Sequence, residues 1–142
     1  MRHPVVTVKP HDSIRHAREI MEERRVNQLP VVVDGRVVGI VTDRDLRDAF
    51  PSVFEESSRR ARRRVRAGAA DPDGIPVEDA MTANVLTLGP DASVEEAARL
   101  MRRERIGAVP IVINHRLVGI MTRSDVLDAF LALVEERGRA AS

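Results

Sequence analysis

The sequence predicts an α/β (α+β) fold, built as two β-α-β-β-α repeats packed about a pseudo-twofold axis. Three observations lead there. First, residues 5–50 lie on residues 85–130 without a gap. Val5-Val6-Thr7-Val8 falls on Val85-Leu86-Thr87-Leu88, and Leu29-Pro30-Val31-Val32-Val33 falls on Val109-Pro110-Ile111-Val112-Ile113. Gly39-Ile40-Val41-Thr42-Asp43-Arg44-Asp45 falls on Gly119-Ile120-Met121-Thr122-Arg123-Ser124-Asp125. Second, each copy carries strand and helix signals in the same order. Third, 142 residues, 43% of them apolar, suffice for one compact domain or two halves sharing a core. Tandem copies bury their apolar faces against one another. They also make two equivalent sites, so function should lie in residues that occur twice.

The first repeat spans residues 1–51 and the second residues 78–134. Residues 52–77 form an Arg-rich linker, and residues 135–142 a C-terminal tail. Each repeat opens with a short β-rich run, residues 5–8 and 85–88, closed by Pro10 and Pro90. Ser13 and Ser93 then read as helix N-caps, and Ser93-Val94-Glu95-Glu96 as a capping box. Ile14, Ala17 and Met21, answered by Val94, Ala97, Leu100 and Met101, give a helical apolar stripe. Two apolar strands follow in each copy. They are joined by Asp34-Gly35 in the first and Asn114-His115 in the second, residue pairs that suit the positive φ values of a type I′ turn. Their nearly continuous apolar character predicts cover on both faces. A closing helix carries Leu46, Ala49 and Phe50 before Pro51; its counterpart, residues 126–136, is longer and more apolar. In the linker, residues 55–67 read as a polar helix with Arg59, Arg60, Arg62, Arg63, Arg64 and Arg66, and Asp71-Pro72-Asp73-Gly74 breaks it. Arginines all round a helix read first as a solvated surface.

Composition excludes several classes. There is no Trp or Tyr and only three Phe, which weakens any reading based on stacked bases. The net charge of +1 gives no nucleic-acid signature. The absence of Cys excludes a disulfide scaffold and a thiolate site. No apolar run has membrane-spanning length and Met1 begins no signal peptide, so a cytoplasmic protein without membrane association is expected. His3, His11, His16 and His115 lack metal-ligand spacing, Ser124 has no His partner, and no Gly-rich phosphate loop is present. The sequence therefore predicts no enzyme and no metal.

The repeated Thr42-x-x-Asp45 and Thr122-x-x-Asp125 have two compatible readings. As local structure, each is a capping box, with Thr at the N-cap and Asp at the third helical position. As chemistry, a helix N-terminus favours a phosphate, and a carboxylate at its rim can accept both hydroxyls of a ribose.

With Gly-Ile-Val-Thr-Asp-Arg-Asp closing its sheet, the repeat resembles the CBS (cystathionine-β-synthase) domain. Asp79-Ala80-Met81-Thr82-Ala83-Asn84-Val85-Leu86-Thr87-Leu88 is similar to that family's lead-in strand. Similar chains are tandem pairs, called Bateman modules, and this one looks like a stand-alone bacterial pair. The resemblance implies a regulatory module that senses an adenosine nucleotide in the clefts between its repeats. It implies adenine packing on Pro4, Val6, Val26 and Asn27 in one site, and on Asn84, Leu86, Ile106 and Gly107 in the other. Thr42 with Asp45, and Thr122 with Asp125, would reach ribose or phosphate. Arg44 and Arg123 would serve phosphates; Ser124 stands where repeat one has Arg44, which puts polyphosphate binding at one site in doubt. Asn27 and Gln28 narrow the first site, whereas Gly107 and Ala108 leave the second more open. AMP and ATP lead the ligand candidates, with ADP, NAD and S-adenosylmethionine left undistinguished. Leu127, Phe130, Leu131, Leu133 and Val134 exceed what one repeat can cover, so a homodimer is expected. A downstream protein of unknown identity would receive the signal. The alternatives are a nucleic-acid-binding protein using the Arg helix, and a dimerisation scaffold with vestigial pockets.

Overall fold

The computed structural model describes residues 5–49 and 74–141. The expected Arg-rich helix and its flanks at Phe50 and Pro51 lie outside the described residues. The chain divides into two compact units, one of them Val6–Val85 and the other Leu86–Ser142 together with Val5.

In the first unit the Ser13 hydroxyl accepts the His16 amide at 3.1 Å and starts helix α1, Ile14–Arg24. A left-handed Arg25 (φ 55°) ends it. Strands β1 (Gln28–Val33) and β2 (Arg36–Thr42) form an antiparallel hairpin, and helix α2 (Asp43–Ala49) follows directly. The two turn residues take the positive φ that Asp-Gly suits, 50° at Asp34 and 82° at Gly35. Ile14, Ala17 and Met21 of α1 pack on Leu29, Val31, Val41 and Leu46.

The second unit repeats the plan. Ser93 caps helix α3, Val94–Glu104, by accepting the Glu96 amide at 3.0 Å. Strands β4 (Ala108–Ile113) and β5 (Arg116–Thr122) pair antiparallel, and helix α4 runs Arg123–Ala141. Ala97, Leu100, Met101 and Val109 form its core. Val94, read as part of the apolar stripe, is 37% exposed, whereas its counterpart Ile14, at the same first helical position, is buried and bonded to Ile75.

Four features depart from the sequence reading. The lead-in runs are not strands: only Val8 bridges Val31, and only Leu88 bridges Ile111. Val8 donates to the Pro30 carbonyl and accepts the Val32 amide. The next rung would need an amide from Pro30, which has none, and Pro110 imposes the same stop on Leu88. The hairpins are covered only near their helices; Val33 and Ile113, beside the turns, are 43% and 48% exposed. Helix α4 does not end near residue 136, since the Arg- and Ala-rich residues beyond it favour continuation and no proline intervenes. It leaves Leu127 61%, Phe130 58% and Leu131 55% exposed. Finally, the residues after the linker are built into the first unit. Val77 is fully buried in its core, and Ile14 donates to Ile75 while Val77 donates to Asp12.

Strand β3 (Thr82–Ala83) then pairs with β2 opposite Gly39 and Ile40. A Cβ at Gly39 would lie 2.5 Å from Met81 Sδ and 2.9 Å from the Thr82 carbonyl oxygen. Met81 can swing aside, but the backbone oxygen cannot. Gly39→Ala should therefore destabilise the protein by about 1–3 kcal/mol in urea unfolding, an overpacking cost. His115 holds φ 67° without being glycine. Relief of about 1–2 kcal/mol of left-handed strain exceeds the roughly 0.5–1 kcal/mol entropy cost of glycine. His115→Gly should accordingly raise the urea midpoint rather than lower it.

Candidate ligand sites at two helix starts

Each closing helix begins in a reciprocal pair of hydrogen bonds. The Thr42 amide donates to Asp45 Oδ2 at 2.9 Å, and the Asp45 amide donates to Thr42 Oγ1 at 3.1 Å. In the second copy the Thr122 amide donates to Asp125 Oδ2 at 2.8 Å, the Thr122 hydroxyl to the same oxygen at 3.1 Å, and the Asp125 amide to Thr122 Oγ1 at 3.4 Å. The capping box is thus realised in both copies. It uses Oδ2 of each carboxylate for the cap, holding the side chain at the rim of the helix start.

A second bond ties each helix start to the turn before the hairpin. The Asp43 amide donates to the Asn27 carbonyl at 2.8 Å, and the Arg123 amide to the Gly107 carbonyl at 3.1 Å. The structure therefore brings Val26 and Asn27 together with Thr42 and Asp45, and Ile106 and Gly107 together with Thr122 and Asp125. Val26 and Val6 pack on the first core, and Ile106 on the second, so each turn has an apolar root. The Asn27 side chain is exposed. The Arg123 side chain lies over Gly107, where a Cβ would stand 3.6 Å from its Cζ. Arg44 is exposed and starts α2 beside Asp45. Asn84 and Leu86 are exposed, Asn84 at φ 54°, in the segment leading to the Leu88 bridge. Pro4 lies outside the described residues.

Burial pushes the Asp125 carboxyl up, but the hydrogen bonds to its ionised form, led by that from the Thr122 backbone, outweigh it and hold the group below 3.8. The side chain is poised to stay charged. Sequence reasoning missed the groove beside this site, lined by Met101, Val126 and three arginines. The signal was available in a position-by-position comparison of the two copies. Among the described residues, no group of three or more His, Asp or Glu is arranged to hold a metal ion, and no helix is long and apolar enough to cross a membrane.

Residues 1–52 and 77–132 match the CBS domain, and the chain belongs to that family. Inosine-5'-monophosphate dehydrogenase of Korarchaeum cryptofilum is 34% identical over 123 residues, covering 86% of this chain but only 21% of the dehydrogenase. This chain thus spans about a fifth of that relative's length. Among solved structures, CBSX2 in complex with AMP has a TM-score of 0.75 at 30% identity, covering 93% of this chain and 92% of the other. The CBS domain pair of protein MJ0100, in complex with 5'-methylthioadenosine and S-adenosyl-L-methionine, has a TM-score of 0.74 at 28% identity, with the same coverage.

The Asp125 shift sets a pH dependence. A carboxyl whose pKa is depressed by folding adds stability that is complete above its unfolded value and lost as pH falls through the folded one. Acid unfolding of the wild type should therefore include a loss of stability below about pH 4 that Asp125→Asn lacks. Identical slopes of stability against pH in the two proteins between pH 5 and pH 2 would contradict this.

Proposed function

We propose that this chain is a non-catalytic regulatory module that binds an adenosine nucleotide, AMP or ATP first, at its two Thr-x-x-Asp helix starts. The observation that carries the reading is the duplicated pairing of a capped carboxylate with an apolar-rooted turn. Val26 and Asn27, or Ile106 and Gly107, would pack the adenine. Asp45 or Asp125 would accept the ribose hydroxyls while keeping its cap, and Arg44 or Arg123 would meet phosphate. The AMP and S-adenosyl-L-methionine complexes of similar chains support an adenosyl ligand. Binding would act by differential affinity for two shapes of the module, passed to a downstream protein.

The test is a thermal-shift panel of adenosine compounds followed by calorimetry. A ligand at 100 times its dissociation constant stabilises by about 2.7 kcal/mol. Asp125→Ala should weaken binding at its site by about 1.5–3 kcal/mol, the loss of a charged hydrogen bond, while the protein stays folded. Asp45→Ala tests the other copy. Unchanged titrations for both variants would remove the site assignment.

The same reading includes a homodimer through the middle of α4, where Phe130, Leu131, Leu133 and Val134 are 48–58% exposed. Such a stripe is unusual on a monomer. Sedimentation at micromolar concentration should show a species of twice 15.8 kDa, and Phe130→Glu with Leu131→Glu should return it to the monomer.

A further inference from the structure

The two copies differ on the face between their paired helices. In the second unit, α3 and α4 enclose an open groove of about 400 Å³. Its apolar lining is Ala98, Met101, Val126 and Leu127, and its charged lining is Arg102, Arg105 and Arg123. The three arginine side chains are exposed, and among the described residues none of them forms an ion pair. In the first unit the corresponding positions neutralise themselves. Glu22 stands where Arg102 does and pairs with Arg18 at 3.0 Å; Asp43 stands where Arg123 does and pairs with Arg47 at 3.3 Å. Those two partners, Arg18 and Arg47, stand where the second copy has the small Ala98 and the apolar Leu127. On this face, two acids and two salt-bridged arginines in one copy correspond in the other to two arginines, an alanine and a leucine.

Three guanidinium groups beside an apolar lining ask for carboxylates flanking an apolar side chain. Arginine forks meet carboxylates in two parallel bonds, and their stems add to the apolar surface. We propose that this groove is the docking surface for a short acidic segment of a partner protein, one apolar anchor set between Asp or Glu residues. A nucleic acid fits less well, since the groove offers no aromatic ring to stack a base. Such an acidic segment identifies the downstream partner of the regulatory reading by its chemistry. The groove shares Arg123 with the proposed nucleotide site, so the test changes only Arg102 and Arg105, to which that site assigns no role.

The experiment is fluorescence anisotropy at low salt, with a set of labelled peptides bearing Leu or Phe between pairs of Glu, and matched peptides with Lys in place of Glu. The variant is Arg102→Glu with Arg105→Glu, its first change copying the residue of the other repeat. Because both positions are exposed, circular dichroism should show the variant folded, and its thermal shift with AMP should match the wild type. At least one acidic peptide should bind the wild type saturably in the micromolar range, lose tenfold or more in the variant, and weaken as salt rises. The Lys peptides should show the opposite preference. Three results would overturn the proposal: no acidic peptide binding below millimolar, equal binding of acidic and Lys peptides, or acidic-peptide binding unchanged by the variant. Two others would reassign the groove: displacement of the peptide by duplex DNA, to nucleic acid, and loss of the dimer in the variant, to a second copy of this chain. A variant that fails to show the AMP shift while still losing the peptide would count against the nucleotide reading and leave the docking surface standing.

Discussion

The reciprocal hydrogen bonds between Thr42 and Asp45, and between Thr122 and Asp125, are the constraint on which the rest of each unit depends. A helix that begins the moment a strand ends has amides with no partner, and each box supplies two acceptors where they are needed. Because β2 ends at Thr42 and β5 at Thr122, the box also fixes the angle at which the closing helix leaves the sheet. That angle brings Leu46 onto the first core and Val126 onto the second. The same bonds leave a charged carboxylate at the rim, tied through Asp43 or Arg123 to the turn that would hold a base. One structural necessity and one chemical opportunity therefore share an atom group, and a single substitution at the Asp touches both.

Duplication gives the two units the same frame and lets their surfaces diverge. Where the frame is set by backbone geometry the copies agree closely. Both α1 and α3 end in a left-handed arginine at φ 55°, and both hairpins lose register at the same rung, leaving Val38 and Val118 as the extra residues. Where side chains face solvent the copies part. Asn27 answers Gly107 at the candidate site, and the ion-paired Glu22 and Asp43 answer Arg102 and Arg123 beside it, which form no ion pair among the described residues. A difference of that kind turns a symmetric duplicate into a module with distinguishable ends.

Much of this was legible in the sequence because it rests on local chemistry. Asp34-Gly35 and Asn114-His115 marked their turns by the φ values they tolerate, Ser13 and Ser93 their caps, and the Thr-x-x-Asp spacing its box. What could not be read depends on partners distant in the chain. The lead-in runs looked like strands by composition, yet Pro30 and Pro110 lie across from them and deny the next rung. Val77 sat in a stretch read as linker, and only folding shows it inside the first core. The arginine groove arises because Arg102 and Arg123 come from different helices, so no single window of sequence contains it.

The central claim is that the capped carboxylate and the turn bonded to it form one ligand seat. The most direct measurement is an amide-resolved NMR titration of the 15.8 kDa chain with AMP. The account predicts saturable shifts at Thr122, Asp125 and Gly107, or at Thr42, Asp45 and Asn27. The three amides of a copy should move together with one dissociation constant. Saturable shifts confined to residues outside both sets, or none at millimolar AMP, would contradict it.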